Sequence, residues 1–92
     1  RTLKPLLAAV THSSWIARRN AAWALGAIDD PRAVNPLMQS LKDSDPEVRE
    51  QAAWALGAIG DNRALDALLP ALKDAEARVR RQAAWAIGVL SR

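Results

Sequence analysis

The sequence predicts an all-α fold: an α-solenoid of three stacked two-helix repeats. Three observations carry this. The first is self-similarity. Sliding the 92-residue chain by 31 positions aligns it without a gap as repeats 1–31, 32–62 and 63–92. AAWALGAI at 21–28 returns unchanged at 52–59 and as AAWAIGVL at 83–90. The second is apolar spacing at helical intervals in each half of each copy. The third is punctuation by Asp, Pro and Gly where helices should start and stop.

The middle copy shows the punctuation best. Asp30 can cap its first helix, and Pro31 suits the first helical position. Val34, Leu37, Met38 and Leu41 follow at helical spacing. Pro36 interrupts that run and removes a backbone donor, which predicts either a kink or a fresh start capped by Asn35. Lys42 suits the C-terminal end of the dipole. The second helix should begin at the Asp45 cap with Pro46 and Glu47 in its first turn. It should run to Ile59, with Gly60 in the left-handed conformation that ends helices and Asp61 capping the next one. The third copy has Glu76 and Ala77 at the Asp and Pro positions, and the first has Ser14 and Trp15. Arg1, Arg32 and Arg63 open the three copies.

Two short helices cannot bury their apolar faces alone, and stacked neighbours can. Neither terminal copy is polar on both faces, so the ends should be under-covered. This predicts further repeats in a longer parent protein, or end-to-end packing of chains. The chain begins at Arg1 rather than Met, in keeping with an excerpt.

Composition narrows the function classes. Half the chain is apolar and a quarter charged, as in ordinary globular domains. There is no Cys, which excludes disulfides, thiolate metal sites and Cys nucleophiles. With one His, a multi-histidine metal site is excluded too. No apolar run approaches a bilayer span and no signal-peptide pattern opens the chain, so the default expectation is a cytoplasmic protein with no membrane partner. The net charge of +3 is uneven: +2 over 1–31, −2 over 32–62 and +3 over 63–92. That is not the continuous basic stripe of a nucleic-acid binder. His12 beside Ser13 and Ser14 reads as turn capping rather than a Ser–His pair, since no acid or oxyanion donor is placed with it. The Asp residues lie at helix boundaries, where capping explains them. Gly26, Gly57 and Gly88 read as helix-interior packing positions, not a phosphate loop. No catalytic residue, metal ligand or cofactor is expected.

At about 100° per residue, Val48, Ala52, Ala55, Leu56 and Ile59 form the core stripe of the middle second helix. Arg49, Ala53 and Gly57 lie beside it, where small residues admit a neighbouring helix. Trp54 lies about 240° round from Val48, among Glu47, Glu50 and Gln51. The equivalent stripes are Ile16, Arg19, Asn20 and Trp23 in the first copy, and Arg78, Arg81, Gln82 and Trp85 in the third. The three tryptophans should form a column. Helix spacing of about 8–10 Å is too wide for upright rings to stack, so each should lie over the adjacent copy, on Arg19, Gln51, Arg81 or Gln82. Two roles stand open for them: groove filler, or anchors for a partner as well. Trp54→Ala should separate these, abolishing binding at little cost in stability if the ring is an anchor. Trp15 reads as an edge residue of the N-terminal end.

DPEVREQAAWALGAIGDNRALDALLPALKD at 45–74 resembles the short HEAT-like repeat of the phycobilin-lyase type. The marks are D-P-x-V-R, A-A-x-A-L-G-x-I-G-D and R-A-x-x-x-L-x-x-A-L-K-D. The resemblance implies second helices on a concave binding side. It also implies a structural ladder in which an Asp pairs with an Arg six residues later: Asp43 with Arg49 and Asp74 with Arg80. His12 stands where Arg18 would need that Asp, which breaks the pattern in the first copy. The functional expectation is a non-catalytic scaffold holding a protein or peptide on a Trp-lined concave surface. The alternatives are a nucleic-acid-binding array, disfavoured by the acidic middle copy, and an accessory subunit of a chromophore lyase.

Overall fold

The computed structural model describes residues 3–92; Arg1, which opens the first copy, lies outside them. The chain is an array of helix pairs, and no strand occurs among the described residues. The first pair is α1 (Leu3–Ala9) and α2 (Trp15–Ile28). The second is α3 (Val34–Ser40) and α4 (Pro46–Ile59). The third is α5 (Leu65–Leu68) and α6 (Ala77–Leu90). The long helices α2, α4 and α6 pack on one another in sequence, and each short helix leans on the long helix of its own pair. The slab measures 31 × 26 × 16 Å.

The long helices start and stop as their end residues dictate. The Asp45 side chain accepts the Glu47 N–H at 2.8 Å, with Pro46 in the first turn where a missing donor costs nothing. Gly60 ends α4 at φ 77°, its N–H returning to the Leu56 carbonyl. In α2 the same left-handed position falls to Asp29, at φ 61°. Ser14 and Glu76 precede α2 and α6 without a side-chain capping bond.

The short helices depart from expectation. Asp30 and Asp61 do cap, accepting the N–H of Arg32 and Arg63, but what they cap are 3-10 turns at Pro31–Ala33 and Asn62–Ala64. The guanidinium of Arg32 holds the Asp30 carboxyl down to about 2. Helix α3 then begins at Val34, with Ala33 rather than Asn35 at the cap position. Starting there puts Pro36 in the first turn, where no intrahelical donor is needed. In the third pair Pro70 lies further along. It cannot donate back to Asp66, and the segment tightens into a 3-10 helix over Leu69–Lys73.

Core burial follows the expected stripe. Val48, Ala52, Ala55 and Leu56 are buried and Ile59 half-buried. Leu25, Leu37, Leu56, Leu68, Val34, Val48 and Val79 are the largest side chains fully removed from water. Between them lie Ala21, Ala22, Ala53, Ala83 and Ala86, which thin the long helices where they touch.

A non-glycine residue at positive φ carries a steric penalty, and an acid at a helix C-terminus meets the negative end of the dipole. Asp29→Gly should therefore raise the unfolding free energy by about 0.5–1 kcal/mol, after the entropy glycine costs. Urea denaturation of the two proteins measures this directly.

Candidate functional site

The residues expected on one side of the array lie on α2, α4 and α6. On α2, Ile16, Asn20 and Trp23 are exposed and Arg19 half-buried. On α4, Glu47, Glu50, Gln51 and Trp54 are half-buried. On α6, Arg81 and Trp85 are exposed, with Arg78 and Gln82 half-buried. One cross-copy ion pair spans the stripe, Arg19 Nη1 to Glu47 Oε1 at 3.2 Å. Arg19 also lies 5.2 Å above the Trp15 ring and donates to Asn20 Oδ1. The cation–π contact thus falls on Trp15, at the first-copy edge, rather than on a column tryptophan.

The indoles of the second and third copies lean towards the copy before them. A Cβ placed on Gly26 would lie 2.7 Å from Trp54 Cζ3 and 2.7 Å from the Ala55 backbone. A Cβ on Gly57 would collide with Trp85 Cζ3 and come within 3.0 Å of Ala86 Cα. Each ring therefore leans back onto the glycine of the preceding copy, where the two long helices cross. The absence of a glycine side chain lets the helices approach and leaves a flat place for the indole.

Seating leaves part of each ring in water, by an amount set by its neighbours. Trp54, with a copy on each side, is half-buried and packs against the core. Trp85, with a copy only before it, is 44% exposed. Trp23, with a copy only after it, is 55% exposed. Trp23 borders an apolar groove of about 450 Å³ lined by Leu6, Ala9, Ala17, Ala21 and Ala24.

The ladder exists with different partners. Arg49 gives Nε and Nη2 to the Asp74 carboxylate at 2.7 and 3.1 Å, and Nη1 to the Asp43 and Ser44 carbonyls. Arg18 does the same with Asp43 at 2.7 and 3.2 Å and with the His12 and Ser13 carbonyls. The carboxylate thus belongs to the following copy. The residue six positions earlier supplies only its carbonyl, as Asp74 does for Arg80 at 2.6 Å. A carbonyl is available from any residue, so His12 does not break the bond to Arg18. Its Nδ1 accepts the Ser14 N–H at 3.0 Å, as Asp43 and Asp74 accept the N–H two residues on. The Arg49 hydrogen bonds hold the Asp74 carboxyl below the usual carboxylate range, and that carboxylate raises Arg49.

Among the described residues, no three His, Asp or Glu side chains are grouped to hold a metal ion, and no helix is long and apolar enough to cross a membrane. The arrangement is suited to contact: large aromatic faces interleaved with a few charges.

Comparison with known proteins agrees with this architecture. The family model described as HEAT repeats matches residues 3–88. The complex of CpcE and CpcF of phycocyanin lyase from Nostoc sp. PCC7120 matches with a TM-score of 0.91 and 29% identity. That match covers 98% of this chain and 37% of the other. Human deoxyhypusine hydroxylase in complex with glycerol matches with a TM-score of 0.87 and 28% identity, over 97% of this chain and 32% of the other. The chain thus spans about a third of the length of these two structures. No curated protein matches it in sequence.

The seats predict opposite outcomes for one substitution. Gly57→Ala should destabilise by about 1–3 kcal/mol, because the methyl meets the Trp85 ring and the Ala86 backbone. Gly88→Ala, with nothing within 4 Å, should stabilise by about 0.5–1 kcal/mol through helix propensity. Thermal melts of the two variants separate them.

The ladder predicts acid sensitivity. A depressed native pKa means stability fully present above the unfolded value near 4 and lost as pH falls through the native one. Asp74→Asn should lower stability at pH 7 and flatten its fall below about pH 4, as read from urea midpoints against pH.

Proposed function

The chain belongs to the HEAT-repeat family, and we propose that it is a non-catalytic interaction module holding a protein or peptide along the stripe of α2, α4 and α6. The observation that carries the reading is the exposure of Trp23 and Trp85, 55% and 44%, beside charged side chains. Exposed aromatic surface rimmed by polar groups marks contact sites, and Trp and Arg dominate their energetics. The long helices touch one another while the short helices mainly touch their own partners. That closer spacing favours curvature towards the stripe and supports its being concave.

The stripe asks for a partner of mixed character. Glu50 suits a basic group at the centre, Arg78 and Arg81 suit acidic groups towards α6, and the indoles suit apolar side chains. Nucleic acid fits less well, because Glu47 and Glu50 would face phosphates mid-stripe. The likeness to the CpcE–CpcF complex supports a second reading, an accessory subunit that works through protein contacts. No cofactor belongs to either reading.

Peptide ligands selected from a displayed random library provide the test. Trp23→Ala and Trp85→Ala should each weaken a selected peptide by at least about tenfold while the melting temperature moves by a few degrees. Trp54→Ala should instead cost about 1–3 kcal/mol of stability, because its ring fills the Gly26 seat. Selection of no ligand, or of ligands indifferent to both exposed tryptophans, would sink the proposal.

A further inference from the structure

Each long helix carries an amide side chain three residues before its indole: Asn20 before Trp23, Gln51 before Trp54, Gln82 before Trp85. Residues at that spacing are neighbours on a helix face. Stacking accounts for the indoles and leaves the amides without a task. The Asn20 oxygen accepts from Arg19, which leaves its NH2 group to donate. Gln51 and Gln82 are half-buried, and their amides bond to no other side chain or backbone group among the described residues. No unbonded side-chain nitrogen or oxygen is fully buried among those residues, so both amides reach water.

We propose that the stripe takes a proline-rich segment in the polyproline II conformation, laid across α2, α4 and α6 with one three-residue turn per copy. The proposal rests on the stripe being a contact surface, and it adds the partner's conformation. Two requirements select it. The partner must offer free backbone groups to the amides, and it must present the same face at each copy. An α-helix bonds its own backbone groups and fails the first. An extended strand leaves them free, but its face recurs about every 6.6 Å, and a three-residue step of about 10 Å turns the other face inwards. Packed helices lie about 8–10 Å apart. A polyproline II helix repeats its face every three residues, about 9.3 Å, and has no internal hydrogen bonds.

The donors agree with this choice. A proline has no N–H, so its backbone offers carbonyl acceptors alone. The amides of Asn20, Gln51 and Gln82 each carry an NH2 group with two donors. Asn20 is turned to use them, since its oxygen is held by Arg19. The indole beside each amide gives a flat apolar face to a pyrrolidine ring, as in other aromatic-lined grooves that take such segments. Gln51 has a copy on each side, so the arrangement does not depend on the end copies.

Calorimetric titration with a neutral peptide of about twelve prolines, roughly 37 Å long, tests the conformation apart from the charges of the stripe. A Gly–Ser peptide of the same length is the control. The wild type should bind the proline peptide saturably below about 1 mM and the control not at all. Gln51→Glu keeps the size of the side chain and removes its donors. It should weaken binding by about fivefold while the melting curve stays close to that of the wild type, and Gln51→Ala should match it. No binding up to about 1 mM overturns the proposal. So does equal binding of the control, or an affinity indifferent to both Gln51 variants. Library-selected ligands that need Trp23 and Trp85 but bind Gln51→Glu unchanged overturn this inference and leave the partner reading standing.

Discussion

Everything in this array depends on how closely α2, α4 and α6 can approach one another. Side chains on both helices normally hold axes about 8–10 Å apart. Here Gly26 and Gly57 remove the obstruction, and Ala55 and Ala86 face them with little more than backbone. The space left at each crossing is filled from the solvent side by the indole of the next copy. A single device therefore sets helix spacing, covers the junction and displays the remainder of an aromatic ring. The alanine-rich composition of the long helices follows: anything larger at Ala52, Ala53 or Ala55 would push the layer apart.

The ladder fixes orientation where the glycine crossings fix distance. Each Arg fork ties three pieces of chain together: its own helix, the carbonyls of the loop before it, and the carboxylate of the next copy. Arg suits this because its rigid planar fork meets a carboxylate with two N–H groups while a third reaches the carbonyls, and the three donors of a Lys radiate from one nitrogen without that fork. Removing the fork would leave two carbonyls and a half-buried carboxylate short of partners, which costs more than the bond itself supplies. The array is stabilised by repetition of this nearest-neighbour interface rather than by one central core.

Helix pairing, the core stripe and the two ends of α4 were legible in the sequence, because each depends on local spacing or a single end residue. Asp45, Gly60 and Val48 could be placed from their neighbours alone. What could not be read depends on which copy a side chain reaches. Asp43 and Arg49 lie six residues apart and look like partners, yet the carboxylate turns to Arg18 in the preceding copy. The sequence places Trp54 over the adjacent copy, and the structure adds that its ring edge meets Gly26 there. The recurrence of a tryptophan and a glycine in one helix was the available signal. It marks two halves of a contact made between copies. The 3-10 turns were missed because Asp-Pro opens a helix or a turn equally well, and Pro36 decides only where α3 can begin.

Comparing the copies separates what builds the array from what it displays. Among the positions with the same residue in all three copies, Arg18/Arg49/Arg80 and Gly26/Gly57/Gly88 are ones that touch a neighbouring copy where one is present. Positions that change sign or character lie along the stripe: Ile16, Glu47 and Arg78 in one row, Arg19, Glu50 and Arg81 in the next. One cross-copy contact uses such a difference, the ion pair of Arg19 with Glu47. Trp23, Trp54 and Trp85 belong to the first group by identity and to the stripe by position. Their repetition is therefore accounted for by stacking, and what differs from copy to copy is the charged rows around them. Under the proposed reading, a partner's register along the array would come from those rows, since the indole is the same at every step.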